Sequence, residues 1–234
     1  MRYRLRSILL LFFCLASLPS QSQELSFEDR VRGYILANPE VIIEAMEILA
    51  ERERRAEITE RIAAFPELFV DAARLGEGDA AAPQRVIEFF DYKCAPCKAM
   101  HPALVEFTDS HPEVRVEMRH LPILTPGSER AARFALATRE TYGDKAHKAV
   151  HRELWDIQGP LNAAGFQRVA TELSLDFQKI APAMESEAVS ARIDYNRNVA
   201  IALGVLGTPA FLTPDSMVFG TTDIDALGKL WLNR

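Results

Sequence analysis

Arg85 to Tyr92 (RVIEFFDY) is a compact β-forming run, and Cys94-Ala95-Pro96-Cys97 follows it and opens a stretch of helical periodicity. This feature restricts the fold more than any other, because a strand must deliver its end onto the start of a helix with two cysteines one turn apart. At that spacing the Cα atoms fall inside the window of roughly 4.4–6.8 Å that a disulfide tolerates, so the pair closes without backbone movement. Free N–H groups and the positive end of the helix dipole favour a thiolate at Cys94, which makes it the natural nucleophile. Cys97, a turn further in, is the resolving thiol that attacks back on Cys94. Pro96 supplies no N–H to the loop, and neither intervening residue is basic. The thiolate therefore gets less help than a loop histidine would give, with Lys93 and Lys98 compensating in part.

The chain has only three cysteines, and Cys14 lies in a segment set apart by composition. Arg2, Arg4 and Arg6 precede an apolar run from Ile8 to Leu18, and Ser20-Gln21-Ser22 closes it. That is the layout of a secretory signal over residues 1–23, shorter than the roughly 20 apolar residues that span a bilayer. Its removal leaves one closely spaced cysteine pair, which in an oxidising compartment points to redox chemistry or to metal. It also takes away three positive charges, so the formal charge goes from −6 to −9. An acidic chain gives no support to nucleic-acid binding or to docking on anionic lipid. With 48% hydrophobic residues it has the material for a packed core.

Residues 24–75 read as a helical module. Asn38-Pro39-Glu40 combines an N-cap, a first-turn proline and a first-turn acid, so a helix starts near Pro39. Ile42, Met46, Leu49, Ala56 and Ile62 follow at helical spacing, and the charged run Glu51 to Arg55 faces water. This helix packs on its own domain or joins subunits; Val41, Ile42, Ile43 and Met46 make a stripe wider than one contact face requires. Residues 76–84 mix Gly, Ala, Pro and acids without period and read as a linker. In residues 85–234, EVRVEMRHL (113–121) alternates as a second strand, and helical patterns run from Ser128 to Leu203 with breaks at Gly143, Gly159-Pro160, Leu173-Ser174 and Pro182. Strand character returns at Pro209 to Leu212 and Met217 to Phe219, before a last helix over Ile224 to Leu232. Pro102 is expected to kink the helix that follows the cysteines. The class is α/β with a helical insert at 128–203.

Two more features belong with the cysteine pair. Gly207-Thr208-Pro209 leads into a strand, and a proline at a strand head is a recognised place for a cis peptide. Glu88 sits inside an apolar strand, which is costly unless the acid is paired, hydrated or used. Together VIEFFDYKCAPC, RHLPIL followed by a serine and paired alanines, and GTPAF resemble the DsbA family of exported thiol:disulfide oxidoreductases. The resemblance implies a thioredoxin fold interrupted by a helical domain and a periplasmic location. It further implies substrate proteins gripped beside Thr208 and a cis Pro209, a proton relay at Glu88, a membrane redox partner that resets Cys94 and Cys97, and no cofactor. The leader ILANPEVIIEAM resembles that of the ScsC-like subgroup, which implies homo-oligomerisation through residues 26–75 and isomerase activity. Ala95-Pro96 departs from the dipeptides of the known subgroups, which leaves the direction of electron flow open.

A second class of function uses the same thiolates to bind copper or zinc, as a periplasmic chaperone would. His101 shares a helix face with Cys97, so a Cys/Cys/His site is conceivable, though without an obvious fourth ligand. His147 and His151 read as a surface pair, and Phe134, Trp155 and Phe166 as core of the helical insert.

Overall fold

A computed structural model describes residues 25–70, 75–157 and 159–232. Residues 1–23, read from the sequence as a secretory signal, and Cys14 within them lie outside the described residues. The chain forms two compact units that divide between Leu49 and Ala50. In the first, helix α1 (Phe27–Ala37) is started by Ser26, whose hydroxyl accepts the Asp29 N–H at 3.1 Å. Helix α2 (Glu40–Ala63) begins one residue after Pro39. None of the α1 side chains is buried, and Phe27, Tyr34, Ile42, Ile43, Met46 and Leu49 all face outward.

The second unit adds a short helix α3 (Glu67–Val70), strands β1 (Gly76–Glu77) and β2 (Gln84–Phe90), helix α4 (Ala95–Ser110) and strand β3 (Val114–His120). Five helices follow: α5 (Pro126–Tyr142), α6 (Asp144–Asp156), α7 (Ala163–Glu172), α8 (Phe177–Ala183) and α9 (Glu187–Leu203). Strands β4 (Ala210–Thr213) and β5 (Ser216–Phe219) and helix α10 (Ile224–Leu232) complete it. The sheet order is β1-β3-β2-β4-β5, with β2 and β3 parallel across the α4 crossover and the other pairs antiparallel. This is a thioredoxin fold interrupted by a helical insert.

Alternation along β2 sorts the core. Val86, together with Val116 and Phe211 on the neighbouring strands, packs against Leu104 and Phe107 of α4 and Leu227 and Trp231 of α10. Ile87 and Phe89 project the other way, against Ile58 and Ile62 of α2, Leu68 of α3, and Val199 and Leu203 of α9. In the insert the rings of Phe134 and Phe166 stack at 4.8 Å and Trp155 is buried, as the sequence suggested.

Two expectations need correction. The segment 76–84 is no linker at its start, since Gly76 and Glu77 form a buried strand on β3. A Cβ at Gly76 would strike the Val116 carbonyl oxygen, so glycine is what lets this strand approach, and two residues are too few to show a period. The second half of α2, assigned by sequence to the leader, packs under the sheet. Pro102 lies inside helix α4, which continues to Ser110.

Ile62 is 2% exposed, and Ile62→Ala should cost about 2–5 kcal/mol. Ile201→Ala, at an exposed position of α9 in the same unit, should cost under about 0.5 kcal/mol. Both tryptophans, Trp155 and Trp231, lie in the second unit, so denaturant curves followed by their fluorescence compare the two variants directly.

Candidate active site

Strand β2 ends at Phe90, and the chain turns through Asp91 to Lys93 into the N-cap of α4, which is Cys94 itself. The turn is held by Asp91. Its Oδ1 accepts the Lys93 N–H at 2.8 Å, and its Oδ2 accepts the Ile123 and Leu124 N–H groups at 3.0 Å each. One carboxylate thus ties the cysteine loop to the loop that starts the helical insert. Just beyond, Thr125 and Ser128 form a reciprocal capping box on α5.

Cys94 and Cys97 are both free and buried. The Cys94 Sγ accepts the Cys97 N–H at 3.4 Å and donates to the Thr208 carbonyl at 3.1 Å. The Thr208–Pro209 peptide is cis, as the proline at a strand head suggested. Burial pushes the Cys97 thiol far up, and the Cys94 hydrogen bond and the neighbouring Glu88 push the same way. Beneath lies Glu88, 2% exposed, between Met118 on β3 and Phe211 on β4 in the sheet register. Neither neighbour solvates a charge, and burial raises the Glu88 carboxyl to about 8, with the charge of Glu77 adding to the effect. All five residues singled out from sequence, Cys94, Cys97, Glu88, Thr208 and Pro209, therefore meet at one end of the sheet.

Sequence reading missed Asp91 and Glu77, and it misplaced two histidines. His147 and His151 are buried rather than a surface pair. His151 belongs to a chain of rings behind the cysteines: Trp155 Nε1–H donates to His151 Nε2 at 2.9 Å. That leaves His151 Nδ1–H to donate to the Tyr92 hydroxyl at 2.8 Å, and Tyr92 to donate to His120 Nε2 at 3.2 Å. Burial holds His120 and His151 well below the usual imidazole range and His147 down to about 4, so at neutral pH this wall is uncharged. The helical period did place His147 and His151 on one face; nothing in the sequence said which way it points.

Three side chains come close enough to share a metal ion. Glu77, His101 and His151 bring ligand atoms within 4.8 Å of one another. Both His151 nitrogens are engaged by Trp155 and Tyr92, however, and the Lys148 ammonium lies 3.3 Å from Glu77 Oε2. A cation would find two open donors beside an existing positive charge. His101, rather than joining the cysteines, stacks on Trp155 at 5.2 Å.

The sequence of residues 85–230 matches the model of the DSBA-like thioredoxin domain. The chain belongs to the DsbA-like family. Residues 23–56 match the N-terminal domain of the copper resistance protein ScsC. No curated protein sequence matches this one significantly. Among solved structures, this DsbA-like chain is similar to the thiol-disulfide exchange protein alpha-DsbA2 of Wolbachia pipientis, at 22% identity and a TM-score of 0.68, covering 76% of this chain and 96% of that one. A linker-deletion variant of Proteus mirabilis ScsC is similar at 22% identity and TM-score 0.66, covering 91% and 97%. A thioredoxin-like oxidoreductase from Silicibacter pomeroyi DSS-3 shares 35% identity at TM-score 0.62, covering 70% and 92%.

The burial of Glu88 in this DsbA-like site has a thermodynamic signature. Folded Glu88 keeps its proton to about pH 8, whereas a free carboxyl ionises near 4.5. The folded state binds the extra proton between those values, so stability falls as pH rises across that window. Glu88→Gln should match the parent in stability at pH 4 and exceed it by roughly 3 kcal/mol at pH 7. Parallel stability–pH curves from chemical denaturation would show that the acid ionises freely in the folded protein.

Proposed function

We propose that this chain is an exported, periplasmic thiol:disulfide oxidoreductase that exchanges disulfides with substrate proteins through Cys94 and Cys97. The observation that carries the reading is the position of the Cys94 sulfur, at a helix N-cap and 3.1 Å from the backbone of the loop preceding β4. A substrate thiolate attacks Cys94 Sγ, the Cys94–Cys97 bond breaks, and the electron pair goes to Cys97. Cys97 takes a proton from the Glu88 carboxyl, which is protonated at neutral pH. The second substrate thiol, as thiolate, then attacks its own sulfur in the mixed disulfide and releases Cys94. Run in reverse, with Glu88 as base, the same steps reduce or reshuffle a disulfide. The half-buried Thr208 lends its backbone to an extended substrate segment, beside the exposed Leu206 and Gly207. Export is supported by the segment 1–23 and by the need of such a pair for an oxidising compartment, where a membrane redox partner resets it.

Residues 25–49 bring copies of the chain together, on the outward apolar faces of α1 and the start of α2. Several sites around one misfolded substrate favour isomerisation.

Cys94→Ser should abolish insulin reduction and refolding of scrambled ribonuclease, while Cys97→Ser should accumulate mixed disulfides with substrate. Preferential alkylation of Cys97 over Cys94 at mildly acidic pH would reverse the roles. Copper or zinc retained through dialysis by a protein without turnover would replace exchange with metal carriage.

Light scattering tests the assembly. Because Ile58, Ile62 and Leu68 pack under the sheet, the truncated chain should begin at Ala50 and be monomeric, against a multiple of the subunit mass for the longer chain. Equal monomeric masses would remove the idea.

A further inference from the structure

Glu77 is 4% exposed and carries a carboxylate on the face of the sheet that Glu88 uses. Glu77 pairs with Val116 and Glu88 with Met118, two residues apart on β3, so both side chains project to the same side. Glu77 Oε2 accepts from Lys148 Nζ at 3.3 Å, and Oε1 has no partner among the described residues. Lys148 also reaches the Gly76 carbonyl and lines an open cleft of about 460 Å³ with Arg115, Lys145, Arg152 and one acid, Asp144. A buried carboxylate thus stands between Glu88 and a basic opening to solvent.

We propose that Glu77 is a positioning residue of the redox site that acts through Glu88: its carboxylate, on the same face of the sheet, adds to burial in holding the proton on Glu88, ready to protonate Cys97 as that sulfur leaves Cys94. This rests on Glu88 being the proton donor in the exchange step. After each transfer Glu88 is left as a carboxylate, and the repulsion of Glu77 draws a proton back onto it from solvent. The groups facing the two acids leave Glu77 as the charge that counts. From α4 come Cys97 and His101, the latter held toward neutral by burial. From α6 come Lys148, which meets Glu77, and the uncharged His151. From β3 and β4 come Met118 and Phe211, which carry no charge, while Arg115 and Glu117 pair with each other on the opposite face.

The test is the rate at which a small thiol reduces the Cys94–Cys97 disulfide of the intact protein, from pH 6 to 9 by stopped flow. Dividing each variant's rate by the parent's at the same pH cancels the ionisation of the attacking thiol. With a limb displaced by about one pH unit, the Glu77→Gln ratio should be near one at pH 6, about 0.2 at pH 8 and about 0.1 at pH 9. Gln keeps the size of Glu and an acceptor for Lys148, and Glu77→Met should give the same displacement, so either folded variant decides. Glu77→Asp, which keeps the charge, should hold its ratio near one throughout. In a Glu88→Gln background the Glu77→Gln change should have no pH-dependent effect. A flat Glu77→Gln ratio in a protein whose Glu88→Gln variant loses the limb would overturn the role of Glu77 alone. An unchanged limb in Glu88→Gln would overturn the proton-donor reading beneath it.

Discussion

The Asp91 carboxylate bonds three backbone N–H groups, and with them the end of the central strand, the start of α4 and the approach to the helical insert become one corner. Hydrogen bonds to an ionised acceptor contribute about 1.5–3 kcal/mol each when well placed. The functional consequence is geometric. Cys94 can cap α4 with its sulfur only because the turn before it is fixed, and the Asp91 carbonyl itself takes the Cys94 N–H at 2.9 Å. Thr208 meets that sulfur from the loop leading into β4, an antiparallel neighbour of β2, so the cysteine and that loop are referred to the same strand.

A strand in the middle of a sheet has both faces covered, and this decides what an acid there can be. Glu88 has Met118 to one side and Phe211 to the other, with Cys97 of α4 acting on it electrostatically. An ionised carboxylate would be expensive in such a place, so the resting form near neutral pH is the acid. The strand tolerates a residue that is wrong for its period because the proton makes it nearly apolar.

How far the sequence could be read depends on the range of each signal. The cysteine spacing, the apolar strand before it and the threonine–proline pair are local patterns, and each was found where the structure has it. Long helices such as α5 and α9 were legible from their period and their breaks. Two-residue β1 carries no period, and its partner β3 lies some 40 residues away, so Gly76 and Glu77 read as linker. Ile62 repeats at helical spacing with Ile42 and Met46, yet it packs under the sheet while those two face outward. Periodicity finds a face but not the surface it meets, and the same blindness made His147 and His151 look solvent-facing.

The insert could have supplied a positive charge beside Cys97, as a protonated histidine would, and its ring chain shows why it does not. Trp155 has only an N–H to give, which fixes His151 as acceptor at Nε2 and donor at Nδ1. Tyr92 then passes its own proton toward His120, and every step of the chain points the same way. Protonating either histidine would turn its acceptor nitrogen into a donor facing a donor, at 0% or 3% exposure. The rings are therefore held neutral by hydrogen-bond direction as well as by burial. With Pro96 giving no N–H to the cysteine loop and the ring chain contributing no charge, the titratable groups left near the buried Cys97 sulfur are the acids of the sheet, Glu88 beside it and Glu77 behind.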